Sequence, residues 1–178
     1  MGVTGVYGAY LRDTMKAMVL FGVPPESYWA YDTAKFDDEP TAFLYSLASN
    51  YKSIKYFKLD PPGTPPATVL SNIKTQIAAG FPSMFGFTVY SSISNAAEIP
   101  FPVKGNTILG GHAILAVGFD DNKLIGTQKG ALLIRNSWGT SWGSSGYGWL
   151  PFAYVLQGLA VDFWTLVQSS FVDTDLFK

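Results

Sequence analysis

The sequence predicts an α+β fold in which helices come first and an antiparallel sheet follows. Two observations predict this class. Apolar residues recur at helical spacing before Gly80, whereas from Ile108 onward short apolar runs alternate with turn residues. At 178 residues, 48% of them hydrophobic, the chain is long enough to bury a sizeable core in one large or two small domains.

Three helices are predicted in the first half of the chain. The first carries apolar residues on one face and stops at Gly22 and the two prolines that follow. The second is expected to start at Pro40, since proline is favoured in a first helical turn. The third follows a segment with four prolines and a glycine, which breaks the preceding strand. The predicted ranges are 10–21, 40–49 and 67–79.

Short apolar runs predict the strands, and residues 91–107 between them are expected to form a polar loop. Asp120, Asp121 and Asn122 form a turn signal that is predicted to join two antiparallel neighbours. Two acids in a turn lack the ligand count of a calcium loop, so no metal site is predicted there. The predicted strands are 52–59, 84–90, 112–119, 130–136, 146–149 and 159–167.

Composition excludes some function classes. The net charge of −1 argues against nucleic-acid or anionic-membrane partners, which require a basic patch. No apolar run has the length of a membrane span, and no secretory signal is visible in residues 1–6, so the sequence indicates no compartment. Only 14% of residues are charged and 16% are aromatic. This composition indicates either a large core or an apolar surface that binds a partner.

Two motifs suggest a catalytic pair. The chain's only histidine lies in Gly110-Gly111-His112-Ala113, and the following apolar strand ends in Asn136-Ser137-Trp138-Gly139. An imidazole can act as a general base, and an amide oxygen can orient it without adding charge. Each motif alone is more typical of a core histidine or a turn, and the combination favours a site.

Together these motifs resemble the second half of a papain-family cysteine peptidase active site. The resemblance implies a papain-like fold, with residues 1–50 as a remnant of the helical left domain. Residues 51–178 would then form an antiparallel, β-barrel-like right domain that carries the histidine and asparagine. The reaction implied is peptide-bond hydrolysis through an acyl-thioester, and it needs no cofactor and no metal.

The resemblance also assigns roles to individual residues. His112 would act as the base and then the acid, and Asn136 would orient it. Gly111 and Ala113 would contact a peptide or protein substrate. The supporting residues would be Trp138, which shields the pair from water, together with Ser137 and Trp142.

The nucleophile is missing, because the chain contains no cysteine. In this family the cysteine lies about 130–150 residues before the histidine and asparagine, and that distance from His112 reaches beyond Met1. We therefore expect a truncated peptidase body that is inactive alone. Its exposed left-domain face would favour self-association or a partner chain.

Two other functions stay open. The first is a non-catalytic pseudopeptidase that acts as a peptide- or protein-binding or regulatory module. The second is a histidine-dependent hydrolase that uses Ser137 as its nucleophile. This is the weaker hypothesis, because a serine directly after Asn136 is typical of a strand end.

Overall fold

The computed structural model describes residues 9–171, except for the side chains of residues 53, 54 and 167–171. The residues in which no secretory signal was visible lie outside this part. Among the described residues, no helix is long and apolar enough to cross a membrane. The helices are α1 (Leu11–Leu20), α2 (Ala42–Ala48), α3 (Pro66–Ala78) and α4 (Phe152–Leu156), with a 3-10 turn at Thr33–Lys35.

A six-stranded sheet completes the α+β class that the sequence predicts. The pairings β2–β3, β2–β6, β3–β4 and β4–β5 are all antiparallel. The spatial order is β1-β6-β2-β3-β4-β5, so the last strand lies between the first two. The strands are β1 (Tyr51–Lys58), β2 (Ser83–Tyr90), β3 (Ile108–Ile125), β4 (Gln128–Arg135), β5 (Tyr147–Pro151) and β6 (Ala160–Phe171).

The chain divides into two compact units. Residues 1–56 and 166–178 form the N-terminal unit, and residues 57–165 form the sheet unit. This division groups the residues by their mutual proximity. The boundary at residue 50, which follows from the resemblance to a two-domain family, stays a prediction.

In the N-terminal unit, α1 and α2 approach closely at Gly22. This glycine has φ +83°, and a Cβ atom there would overlap the carbonyl oxygen of Ala48. The ring of Phe21 meets the ring of Tyr45 edge to face, with 5.6 Å between centroids. A glycine is therefore required both by the backbone conformation and by the packing.

The core of the sheet unit is aromatic and aliphatic. Phe85 on β2 and Phe163 on β6 stack with ring centroids 4.5 Å apart, and both are fully buried. Helix α3 inserts Val69 and Ile73 into the same cluster, and α4 contributes Tyr154. The helices thus cover the sheet with their apolar residues, as an α+β architecture requires.

The half-buried carboxylate of Asp60 fixes a local distortion of β6. Asp162 has φ +62°, an unusual value for a residue other than glycine, and its backbone N–H donates to Asp60 (2.7 Å). The same carboxylate accepts from the N–H of Phe163 at 2.9 Å. Burial raises the pKa of Asp60 above its ordinary value, although these two hydrogen bonds and the charge of Lys58 oppose the shift.

The sequence prediction was wrong about the β3–β4 turn. The chain reverses at Gly126 and Thr127, and β3 runs on to Ile125. Residues 120–122 instead lie in an irregular stretch of β3, where the N–H of Asn122 donates to the Asp120 carboxylate at 2.8 Å. The local turn chemistry is real, but it bends the strand without ending it.

Two helical details also differ from the prediction. Helix α2 begins at Ala42, with Thr41 as its N-cap, and Pro40 precedes it. The short helix α4 was not predicted. Its residues are nearly all buried, so they show no amphipathic periodicity.

Tyr154 makes the stability of the fold sensitive to alkaline pH. Its hydroxyl donates to the carbonyl oxygen of Pro100 at 3.0 Å. Burial, with a smaller contribution from Tyr90, raises its pKa from 10.0 to about 12. The folded state favours the neutral phenol. The stability that Tyr154 contributes is therefore fully present below pH 10.0 and is lost as pH rises towards about 12.

We expect Tyr154→Phe to lower the free energy of unfolding at neutral pH by about 1–3 kcal/mol, because a buried carbonyl loses its donor. The gap between wild type and variant should narrow as pH rises above 10, since phenylalanine cannot ionise. Urea denaturation at several pH values measures this gap. The partly exposed Tyr147→Phe is the control for loss of one tyrosine, and a pH-independent gap for Tyr154→Phe would contradict the assignment.

Candidate active site

The structure brings His112 and Asn136 together. His112 lies on β3, and Asn136 directly follows the end of β4. Leu115 pairs with Arg135 in the β3–β4 ladder, so the two side chains meet just beyond the last paired residues. Nε2 of His112 lies 2.8 Å from Oδ1 of Asn136. The predicted antiparallel pairing of these two strands is confirmed, although the turn that joins them is at Gly126 and Thr127 and not at residues 120–122.

The hydrogen bonds around Asn136 assign the histidine tautomer. The backbone N–H of Ser137 donates to Oδ1 of Asn136 at 2.8 Å, which identifies that atom as the carbonyl oxygen. An oxygen acceptor requires Nε2 of the neutral imidazole to carry the proton. The lone pair is therefore on Nδ1, which is the nitrogen available as a base.

Aromatic rings contact the imidazole from two directions. Trp138 stacks on it, with centroids 4.7 Å apart and planes inclined by 21°. Phe87, directly opposite His112 on β2, approaches at 6.0 Å in an edge-to-face arrangement. Trp138 is still 42% exposed, so it covers one face of the ring and leaves its own outer face in solvent.

Trp142 supports this arrangement from the interior. It is 2% exposed, and its ring meets that of Trp138 at 90°, with 5.6 Å between centroids. Its Nε1–H donates to the carbonyl oxygen of Ser94 at 3.0 Å. The backbone N–H of Gly143 donates to the backbone carbonyl oxygen of Asn95 at 2.9 Å. The loop after β2 is thus fixed to the same segment that carries Trp138.

Close contacts explain two of the glycines that follow Trp142. A Cβ atom on Gly148 would lie 2.6 Å from the Trp142 ring and 2.7 Å from the carbonyl oxygen of Ala97. Gly143 has φ +58°, and a Cβ atom there would overlap the carbonyl oxygen of Tyr147. The glycines of this motif therefore make room for the buried indole and for the loop against it.

The proposed substrate contacts lie along β3. Gly111 and Ala113 are exposed, and a Cβ atom on Gly111 would meet nothing within 4 Å. Strand alternation directs the Ala113 side chain to the opposite face from His112, beside Gly86 of β2. Pairing with β4 starts only at Leu115, so the edge of β3 before it has no strand partner there among the described residues.

Ser137 is close to Asn136 through its backbone. Its N–H orients the asparagine amide, and the residue is exposed. Its hydroxyl forms no hydrogen bond with His112 in the described part of the chain, which leaves the Ser137-nucleophile hypothesis without support. Within the same residues, no group of three or more His, Cys, Asp or Glu side chains could hold a metal ion.

Sequence reasoning missed two residues of the site. Phe87 was assigned only to a buried strand, because the β2–β3 register that places it opposite His112 is not readable locally. Ser94 acts through its backbone carbonyl, so its side-chain type carries no signal. Burial alternates along residues 83–87, but their sequence does not alternate between apolar and polar residues, so it does not show which side chains of β2 face the core.

Comparisons with known proteins identify relatives of this chain. Residues 4–153 match the family model of the papain family cysteine proteases. A peptidase C1-like protein of Acanthamoeba polyphaga mimivirus, itself uncharacterised, is 34% identical over 170 residues. This match covers 90% of the present chain and 52% of that protein. The chain therefore spans about half the length of this curated relative.

Solved structures of two cysteine proteases are also similar to this chain. The cysteine protease xylellain from Xylella fastidiosa has a TM-score of 0.71 and 32% identity, with coverage of 93% of this chain and 63% of xylellain. The bromelain protease from Ananas comosus has a TM-score of 0.62 at 16% identity, covering 93% of this chain and 71% of bromelain, a likeness of fold alone. The predicted papain-like fold is confirmed.

The histidine tautomer can be measured directly, because His112 is the chain's only histidine. We expect nitrogen NMR shifts at alkaline pH, where imidazole is neutral, to show the Nε2–H form in large excess. Asn136→Ala should shift this ratio towards the Nδ1–H form. Asn122→Ala, in the irregular stretch of β3, is the matched control. An unchanged ratio in Asn136→Ala would contradict the orienting role.

The contact between Gly148 and Trp142 predicts a stability difference between two similar substitutions. Gly148→Ala should lower the free energy of unfolding by about 1–3 kcal/mol, because the methyl group overlaps the buried indole. Gly111→Ala, where space is open, should leave stability unchanged or slightly raised. Chemical denaturation measures both. Equal losses would contradict the packing explanation.

Proposed function

Because the chain belongs to the papain family of cysteine proteases, we propose that it carries the base and its orienting residue for peptide-bond hydrolysis. The observation that supports this function most directly is the 2.8 Å contact between Nε2 of His112 and Oδ1 of Asn136. The Ser137 N–H holds the amide in the orientation that this contact needs. With Nε2–H bonded to Asn136, Nδ1 of the neutral imidazole is the proton acceptor.

In the proposed reaction, Nδ1 of His112 accepts the proton of a cysteine thiol, and the thiolate attacks the scissile carbonyl carbon. Collapse of the tetrahedral adduct breaks the C–N bond, and His112 returns the proton to the leaving amine. Water then attacks the acyl-thioester with His112 again as the base, and the thiol is regenerated. Asn136 keeps the imidazole oriented throughout, and Trp138 limits the access of water to their hydrogen bond.

The thiol of this reaction is absent from the 178 residues, which contain no cysteine. We propose that this chain alone does not hydrolyse peptides. Activity would require a cysteine-bearing polypeptide that contacts the exposed face of β3 near His112.

A non-catalytic peptide-binding module is the second candidate function. The open edge of β3 before Leu115 favours it, because backbone groups at an unpaired strand edge can bind an extended peptide. The exposed Gly111 and Ala113 leave space for such a peptide. This function requires no thiol, and it keeps the His112–Asn136 pair as part of the binding surface.

We also propose that the N-terminal unit associates with a partner or with a second copy of the chain. Several large apolar side chains of this unit are more than half exposed. A surface with this many exposed apolar side chains favours association. The residues concerned are Tyr10, Leu20, Phe21, Tyr28, Tyr31, Phe36 and Phe43.

The activity proposal is tested with the purified chain, whose intact mass should be near 19.4 kDa. We expect no turnover of a broad dipeptidyl fluorogenic substrate, and no mass increase after incubation with a thiol-trapping epoxide. Turnover that the epoxide blocks would contradict the proposal that this chain is inactive alone. His112→Ala is the variant that shows whether any residual turnover depends on the proposed base.

The binding module is distinguished by NMR titration of the same inactive chain with the uncleaved substrate peptide. Shifts concentrated at the amides of Gly111 and Ala113 would support binding at the open edge of β3. An absence of shifts there at millimolar peptide would reject this second function.

A further inference from the structure

The N-terminal unit contains a cavity that the proposed catalytic chemistry does not use. It is open, has a volume of about 740 Å³, and among the described residues its lining comes from the segment 23–40. This volume lies within the range of about 300–1,000 Å³ that is typical of ligand sites. The described lining residues all belong to the N-terminal unit.

Aromatic rings and carboxylates together line this cavity. Trp29 is half-buried in its wall, and Tyr31 and Phe36 are 85% and 62% exposed. The faces of such rings attract cations, most often the guanidinium of arginine. The lining is mainly apolar, so a ligand here would need aliphatic or planar surface as well as positive charge.

Three carboxylates and one ammonium group belong to the lining: Glu26, Asp32, Asp38 and Lys35. In the described part of the chain, none of these groups forms an ion pair. Asp32 has a local role, because its Oδ1 accepts from the N–H of Ala34 at 2.9 Å and caps the 3-10 turn. The carboxylates of Glu26 and Asp38 have no such role, and they leave the cavity net negative.

We infer that this cavity binds a short basic peptide segment, with an arginine side chain between the aromatic rings and the carboxylates of Glu26 and Asp38. Charge complementarity carries the choice of ligand, since the lining has an excess of negative charge and exposed π faces. The volume fits several residues better than a single small cation. This inference does not rest on the catalytic proposal, because it uses neither His112 nor a thiol.

The test uses the full chain at a concentration where light scattering shows a monomer. The probe is a fluorescein-labelled Gly-Arg-Gly-Arg-Gly peptide, and the same peptide with glutamine at both arginine positions is the neutral comparison. We expect saturable fluorescence polarisation for the arginine peptide only, weakening as salt is raised. Equal binding of both peptides, or no binding at the highest protein concentration that stays monomeric, would overturn the inference.

Matched variants distinguish binding in the cavity from a general effect of the negative charge of this segment. The double variant Glu26→Gln/Asp38→Asn should weaken binding about fivefold, because two carboxylates of the lining lose their charge. Asp37→Asn/Glu39→Gln removes the same charge from neighbouring residues outside the lining, and binding should change by less than about twofold. Equal weakening by the two double variants would overturn the assignment to this cavity.

Two further measurements test the sign of the charge and the size of the ligand. Lys35→Gln removes the one cation of the lining, so it should tighten binding of the arginine peptide. Arginine amide should compete much more weakly than the unlabelled peptide. If Lys35→Gln weakens binding, or if arginine amide competes equally well, the assignment to a basic peptide segment is wrong.

Discussion

The register between β3 and β4 is the constraint on which the candidate site depends. His112 and Asn136 are separated by 24 positions in the chain, and their contact exists only because Leu115 lies opposite Arg135. Irregularities at 116–118 and 120–124 make β3 longer than β4 over their paired stretch. A slip of one residue would turn the His112 side chain to the other face of the sheet. The bulges therefore determine where the imidazole lies.

The orienting network is complete without the missing nucleophile. Asn136 offers a neutral oxygen, and both of its donors, the His112 ring and the Ser137 N–H, come from this chain. Trp138 and Trp142 add packing that also uses only local residues and the loop at Ser94. An amide orients the imidazole without requiring a compensating charge, so the geometry of the pair does not depend on a thiolate.

The sequence predicted which two residues meet at the candidate site better than it predicted the chain path that brings them together. The pair His112 and Asn136 was predicted from local motifs, but only Asn136 lies at a strand end, whereas His112 lies within β3. The chain reversal at Gly126 was missed, since Asp120 and Asn122 offer a stronger local turn signal than Gly126-Thr127 does. Helix α4 was missed because burial on all sides removes the periodicity that indicates a helix. Long-range register, as between Phe87 and His112, has no local signal at all.

The position of β6 between β1 and β2 constrains the order in which the sheet can assemble during synthesis. Strands β2 to β5 pair with sequence neighbours and can associate as they leave the ribosome. By contrast, β1 has to wait for a strand that begins at Ala160, and the Asp60–Asp162 hydrogen bond closes a loop of 102 positions. Contacts at this separation form slowly. Until β6 is available, β1 lacks its partner in the sheet, and an unpaired strand edge is prone to aggregation at that stage of folding.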